Sequence, residues 1–372
     1  MTVSGQQSIL FTSKLVGAVP IPNRFVRSAT HDFLAEEDGT VTAKNVELYR
    51  RLAEGETGLI ISGHAYVSPE GKASPRQIGV FQDSQVEGLR RLSGAVHEFP
   101  GRVFLQLAHA GRQTKPSISG GPPLAPSAVY EPTFKVLPRE MTGAEVRELI
   151  RKFISAAGRA QRAGFDGVQL HGAHGYLLSA FFSPHTNRRL DEWGGSTENR
   201  ARVAVEILRG IKEQCGPRFP VIIKLNSSDF LDDGLQVEEA VEIARLLEQA
   251  GLNGVEVSGG TSEAGRGSIW PGLRAEDDEG YFTESAGRIK AAVSLPVFGL
   301  GGFRTLGAME KAVASGRVDF ISLSRPFIRE PFLVKKFRTG EIRRSACISC
   351  NKCFNPRGIS CADLHPKRKK RS

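Results

Sequence analysis

The stretch EVRELIRKFISAAGRAQRAGFDGVQLHGAHGY, residues 145–176, carries the fold in one repeat. Between Glu145 and Ala163 apolar residues recur at three- and four-residue spacing, the period of a helix with one buried face. Gly164 then ends the pattern, as glycine commonly does just past a helix. FDGVQL (165–170) follows as a short apolar run, which reads as a strand buried on both faces of a parallel sheet. That strand runs out into His171, His174 and Tyr176, two imidazoles and a phenol within six positions.

Working outward, the same alternation recurs. The strand candidates are RFVRSAT (24–30), GLIISGHAYV (58–67), RVFLQLAHA (102–110), FDGVQL (165–170), PVIIKLNSSD (220–229), NGVEVSGG (253–260), PVFGLGG (296–302) and VDFISLS (318–324). Helical patterns lie between them, such as 145–164, ENRARVAVEILRGIKEQCG (198–216) and VEEAVEIARLLEQAG (237–251), each closing on glycine. Eight strands in alternation with helices predict an α/β fold, a (β/α)8 TIM barrel with loop insertions at the C-terminal face. The barrel is expected over residues 1–340, and a Cys-rich, basic tail over 341–372.

A barrel of this kind keeps its chemistry at the C-terminal ends of its strands. Thr30–His31, Gln106, His109, His171–His174, Lys224, Gly301–Gly302 and Ser324–Arg325 all fall at or just past those ends. Two Gly/Pro/Ser-rich insertions, 111–132 and 260–282, are long enough to cover a substrate at that face.

The bulk numbers exclude several classes. The chain has 372 residues, 40% hydrophobic and 24% charged, which is ordinary for a globular protein. No stretch approaches the roughly 20 apolar residues of a membrane helix. The start MTVSGQQSILFTSK lacks the basic-then-apolar form of a secretory signal, so the expected location is cytoplasmic. The net charge of +10 is concentrated in KRKKR at Lys367–Arg371, read as a solvated tail rather than a nucleic-acid site. Partners are therefore expected to be small molecules, with neither membrane nor nucleic acid among them and room left for a homo-oligomer.

The motifs PNRFVRSA, QLAHAGR, GFDGVQLHGAHGYLLSAFFSP, NRRLDEWGGSTENR and KLNSSD, with the glycine pair near 301, occur in one order across roughly residues 9–335. In combination they resemble the Old Yellow Enzyme family of FMN-dependent oxidoreductases, in a branch similar to the FMN barrel of 2,4-dienoyl-CoA reductase. The resemblance implies FMN as cofactor and NAD(P)H as electron donor. It also implies an ene-reductase activity, the reduction of activated alkenes such as α,β-unsaturated carbonyls by a ping-pong mechanism.

The residues can be read against that chemistry. From pattern alone, Gly301–Gly302 suits a turn as well as a phosphate; the resemblance implies the flavin phosphate, with Ser324 and Arg325 beside it. Lys224, inside VIIKLN, is costly to bury without a partner, and a cation there would stabilise the charge of a reduced flavin ring. Many relatives carry arginine at this point. Gln106 can donate to and accept from the ring's pyrimidine edge. By resemblance Ser28, Ala29, Thr30 and His31 line the ring, and His64 touches it. His171 and His174 supply two N–H donors for a substrate oxygen, and Tyr176 resembles the family's proton donor. NRRLDEWGGSTENR is expected to be architecture: Asp191 paired among Arg188, Arg189 and Arg200, a turn at Gly194–Gly195, and Ser196 capping a helix.

Cys347, Cys350, Cys353 and Cys361 read C-x2-C-x2-C-x7-C, a spacing that could ligate zinc or an iron–sulfur cluster. The branch resembling 2,4-dienoyl-CoA reductase and trimethylamine dehydrogenase carries such a cluster with the last two cysteines spaced more widely. The reading favoured is a metal-free remnant of reduced thiols, so no metal ligand is assigned. Three rival readings remain for the whole chain: a metal-dependent barrel hydrolase using His171, His174 and Asp229, an iron–sulfur flavoprotein dehydrogenase acting with a partner, and a binding protein that uses the basic tail while the barrel stands catalytically idle.

Overall fold

The computed structural model describes residues 8–265 and 267–364, so the KRKKR run lies outside the described residues. Eight parallel strands form the centre: β1 (Phe25–Arg27), β2 (Leu59–Ile61), β3 (Arg102–Ala108), β4 (Gly167–Gly172), β5 (Val221–Asn226), β6 (Val255–Ser258), β7 (Val297–Gly299) and β8 (Phe320–Leu323). Each pairs with its sequence neighbour, β8 pairs with β1, and the sheet closes on itself as the expected (β/α)8 barrel.

Helices α1 (Ala43–Glu54), α2 (Val86–His97), α3 (Gly143–Arg162), α4 (Thr197–Cys215), α5 (Val237–Gln249), α6 (Thr283–Lys290), α7 (Leu306–Ala314) and α8 (Leu333–Arg338) follow the strands in turn. The start of α3 is fixed by a capping box: Thr142 Oγ1 accepts from the Glu145 amide at 3.2 Å and the Glu145 carboxylate accepts from the Thr142 amide at 2.8 Å. Ser196 caps α4 as expected, accepting from the Asn199 amide at 3.3 Å. Among the described residues no helix is long and apolar enough to cross a membrane.

Alternation along the strands divides the barrel interior into two zones. Towards the strand N-termini, Val26, Leu59, Ile61, Phe104, Ile222, Phe298 and Phe320 form one apolar cluster, with the Phe298 and Phe320 rings stacked at 4.7 Å. Val16 and Ile21 join it from an antiparallel hairpin of Lys14–Val16 with Val19–Ile21, which closes that end. Burying each of these side chains contributes about 1.5–3 kcal/mol. Two residues further along the same strands the inward letter turns polar: Gln106 follows Phe104 and Lys224 follows Ile222. The outward residues pack under the helices in the larger core cluster.

Candidate active site

A cavity of about 460 Å³ opens where the interior turns polar, and the fourteen residues given catalytic or cofactor roles from the sequence all line it, while His109 does not. Ser28, Ala29, Thr30 and His31 follow β1, and His64 follows β2. Gln106 lies on β3, His171 on β4 with His174 and Tyr176 just beyond, and Lys224 on β5. Gly301 and Gly302 follow β7, while Ser324 and Arg325 follow β8. The remaining strand, β6, contributes Ser258, which the sequence reading passed over.

Strand register explains why the polar groups meet. Lys224 stands abreast of His171 on one side and of Glu256 on the other, and Gln106 stands abreast of Gln169. Lys224 Nζ donates to Ser28 Oγ at 2.8 Å and lies 3.3 Å from Glu256 Oε2. The buried lysine thus has the partner that its position demands. Glu256 and Gln169 were also missed, although each is a polar letter inside an apolar strand run, GVEV and GVQL.

The histidine loop is held in an uncommon backbone conformation. His174 has φ +63°, a left-handed value rare outside glycine. Its amide donates to Asn226 Oδ1 at 3.1 Å, and Asn226 is itself fixed by donation to Asp229 at 2.9 Å and to the Gly260 carbonyl at 3.2 Å. Gly175 continues the turn at φ +80°, where a Cβ would lie 2.2 Å from Gln113 Nε2. The outcome is a compact group of rings: His171 and His174 at 5.5 Å and nearly perpendicular, His171 and Tyr176 at 4.5 Å, His64 and Tyr176 at 5.4 Å, His31 and His64 at 4.8 Å.

Electrostatics keep these rings neutral. Burial, reinforced by neighbouring His174, His64 and Lys224, holds His171 well below the usual imidazole range. Burial and the Lys224 charge lower His174 to about 3 and His64 to about 4. Burial pushes the Tyr176 phenol up to about 12, so it keeps its proton. His174 Nε2 is 2.7 Å from Ser258 Oγ, whereas His171 Nδ1 is buried with no hydrogen-bond partner among the described residues.

The β7–β8 end has the features of an anion cradle. Gly301 has φ +128°, and a Cβ there would sit 2.7 Å from the Tyr281 amide nitrogen, so the backbone comes closer than any side chain allows. Arg325 lines the cavity, but its Nη1 is engaged with the Trp270 carbonyl at 2.9 Å and Asn351 Oδ1 at 2.5 Å. Arg304 was not predicted. It lines the same wall, buried, with Nη2 lacking any hydrogen-bond partner among the described residues. Its signal was the GGFR run immediately after the glycine pair. Its Nε lies 3.4 Å from the buried Glu279 carboxylate, which leaves Nη2 as the end free to meet an anion beside the two glycines, and this arrangement fits a phosphate. Lys224, Gln106 and these groups together fit an FMN.

The two insertions are tied to one another across the site. Arg112 pairs with Glu263, Gln113 Nε2 donates to Ser262 Oγ at 2.8 Å, and Ser262 donates to Glu131 Oε1 at 2.7 Å. Gln113 also donates to the His174 carbonyl at 3.0 Å. In the NRRLDEW segment the outcome is narrower than expected. Arg189 alone grips Asp191, at 2.9 and 2.5 Å, while Arg200 pairs with Glu239 and Arg188 Nε donates to the His185 carbonyl at 3.3 Å. Arg189 also donates to the Pro126 and Met141 carbonyls at 3.0 and 2.5 Å, so it joins this loop to the first insertion.

Asp229 is buried and does not line the cavity; it holds Asn226 and the Leu235 amide, which removes it from the hydrolase reading. Of the tail cysteines, Cys347, Cys353 and Cys361 are buried free thiols and Cys350 is half-buried. Burial pushes the Cys353 thiol up to about 11. Among the described residues no three His, Cys, Asp or Glu side chains are grouped to hold a metal ion. The tail nevertheless reaches the site, since Ser349 and Phe354 line the cavity.

Comparison with known proteins agrees with this geometry. Residues 9–343 match the model of the NADH:flavin oxidoreductase / NADH oxidase family. An NADH oxidase from Thermoanaerobacter brockii is 40% identical over 347 residues, covering 92% of this chain and 52% of its own. An NADPH dehydrogenase from Geobacillus sp. (strain WCH70) is 35% identical over 88% of this chain and 92% of its own. Among solved structures, a 2-naphthoyl-CoA reductase in complex with 2-naphthoyl-CoA superposes with a TM-score of 0.87 at 31% identity, covering 93% of this chain and 54% of that one. Morphinone reductase in complex with tetrahydroNAD gives a TM-score of 0.76 at 28% identity, over 90% of this chain and 92% of that one. The chain thus spans about half the length of the NADH oxidase and of the 2-naphthoyl-CoA reductase, and nearly all of the other two. By sequence, barrel and strand-end chemistry alike, the chain belongs to the NADH:flavin oxidoreductase / NADH oxidase family.

Proposed function

We propose that this protein is an FMN-dependent oxidoreductase that takes hydride from NAD(P)H and reduces activated alkenes, α,β-unsaturated carbonyls foremost. One observation carries the reading: side chains from all eight strand ends meet in one cavity that combines a buried lysine, two neutral histidines and a neutral phenol. Family membership supports the cofactor and the electron donor.

When bound, FMN supplies two-electron hydride chemistry, so that donor and acceptor use one site in turn. Lys224 and Gln106 would hold the pyrimidine edge of the ring, and Ser28 through His31 with His64 its flank. Gly301, Gly302, Ser324, Arg325 and Arg304 would hold the phosphate. His171 and His174 would bind the acceptor's oxygen and polarise its double bond, because neutral imidazole N–H groups stabilise developing oxyanion character without leaving a proton behind. For His174, the 2.7 Å hydrogen bond between Nε2 and Ser258 Oγ fixes the orientation of the ring. Tyr176, ring to ring with His171, holds the proton that the α-carbon receives. The clasp between the insertions excludes water from that transfer.

Anaerobic stopped-flow mixing of FMN-loaded protein with NADH or NADPH, then with enones, maleimides and nitro compounds, tests this directly. The expected result is rapid bleaching of the flavin by one nicotinamide and recolouring by an enone. Bleaching without recolouring by any member of the panel would remove the alkene reductase assignment.

A further inference from the structure

Four polar side chains cross the barrel interior in an unbroken line, and two of them, Gln169 and Glu256, have no part in the chemistry above. Both are fully buried. Glu256 Oε2 lies 3.3 Å from Lys224 Nζ and accepts from Gln169 Nε2 at 2.9 Å. Gln169 Oε1 in turn accepts from Gln106 Nε2 at 2.7 Å.

The directions of these bonds are not free. A carboxylate can only accept, so the Gln169 amide must turn its nitrogen towards Glu256 and its oxygen towards Gln106. Gln106 must then turn its own nitrogen towards Gln169. Its oxygen, an acceptor, is then the end turned away from Gln169. The isoalloxazine pyrimidine carries a single N–H between two carbonyls, and an acceptor is what that N–H requires. The carboxylate acts a second time by lying against the Lys224 ammonium. The cation at this wall is therefore opposed by a charge at close range, with both side chains buried.

Resting on the flavin reading above, we propose that Glu256 is a positioning residue for the cofactor: through Gln169 it presents the Gln106 oxygen to the ring, and through Lys224 it moderates the positive charge there. Relieved of Glu256, Lys224 would favour the reduced, anionic ring more strongly, and the bound flavin would become easier to reduce.

The test compares wild type, Glu256→Gln and Gln169→Leu, all loaded with FMN, by dye-equilibration potentiometry and by titration of oxidised FMN. Glu256→Gln is expected to raise the ratio of reduced to oxidised flavin affinity about tenfold, a rise of ~30 mV for a two-electron couple. Gln169→Leu keeps the ion pair and releases Gln106; oxidised FMN should bind about fivefold more weakly, with a smaller change in potential. A purely structural role would lower thermal stability and leave the potential of the bound flavin where it was, which would overturn the proposal. So would a lower potential in Glu256→Gln, or wild-type values in both variants. Should Glu256→Gln not fold, the double variant Lys224→Met/Glu256→Gln leaves no unpaired charge. Its potential is expected near the wild-type value, and a potential well below that would mean the lysine was never offset. Wild-type protein that takes up no FMN would instead remove the flavin reading itself.

Discussion

Gln77 Nε2 donates twice to His64, to ring Nδ1 at 2.6 Å and to the carbonyl at 3.0 Å, while Gln77 Oε1 accepts from the Ala73 amide at 2.7 Å. The amide cannot be turned round without losing the Ala73 bond, so His64 Nδ1 is an acceptor and the ring proton sits on Nε2. Nitrogen-15 NMR should show His64 as the Nε2–H tautomer and uncharged from pH 5 upwards, consistent with its lowering to about 4. Gln77→Leu would leave the buried Nδ1 and the Ala73 amide unsatisfied. A loss of about 1–3 kcal/mol in urea unfolding is expected.

Tyr176→Phe should separate the two halves of the reaction. The phenol is the proton source proposed for the acceptor and has no task in taking hydride from nicotinamide. Flavin reduction by NAD(P)H should therefore stay within about twofold, and reoxidation by an enone should slow about 10²–10⁴-fold. Equal losses in both half-reactions would assign Tyr176 to cofactor binding instead.

Acid should destabilise the protein well above the range in which carboxylates protonate. Burial is the first cause of lowered proton affinity in His31, His64, His109, His171 and His174. A histidine lowered in the folded state binds fewer protons there than in the unfolded chain. Its share of stability is thus complete above the unfolded value of ~6.5 and is lost as pH falls towards the folded value, about 4 for His64 and about 3 for His174. The expected slope is on the order of 1.4 kcal/mol per pH unit for each such histidine. Chemical denaturation at pH 7.5, 6 and 5 measures it; equal midpoints would contradict the neutral, buried assignment. By the same sign, acceptor reduction should show no histidine ionisation near pH 6.5.

Breaking the clasp between the insertions should act on binding more than on chemistry. Arg112 is buried and Glu263 half-buried, so Glu263→Gln leaves the guanidinium without its carboxylate and is expected to cost about 1–3 kcal/mol. If the clasp covers the acceptor, KM for an enone should rise severalfold with kcat changed less. Steady-state kinetics on the folded fraction distinguishes this from simple destabilisation, which would lower the active concentration alone.

How much of this was legible beforehand follows from periodicity. All eight strands were readable because a doubly buried strand is a short apolar run between turn signals, and α3 to α5 because one helix face is apolar. The bounds of these three helices differ from expectation by no more than two residues, 143–162 against 145–164 for α3, whereas some strands were read too far past their C-terminal ends, 58–67 against Leu59–Ile61 for β2. The cavity-lining residues were readable because a barrel confines chemistry to one end. Glu256 and Gln169 were not, because nothing in one strand says which polar letter a neighbouring strand will set beside it; that is register, fixed only when the barrel closes. Arg304 escaped for a related reason, since its free Nη2 is a property of the assembled wall. Asp191 offered three arginines in sequence, and only geometry chose Arg189.

The most direct test of the account is flavin uptake by the purified chain. Apoprotein titrated with FMN, followed by absorbance and by fluorescence quenching, is expected to bind one FMN per chain and to lose that affinity severalfold or more in Arg304→Met, whose guanidinium lacks a partner for Nη2 in the folded protein. Protein that stays colourless in excess FMN, or binds it identically after Lys224→Met and Arg304→Met, would contradict it.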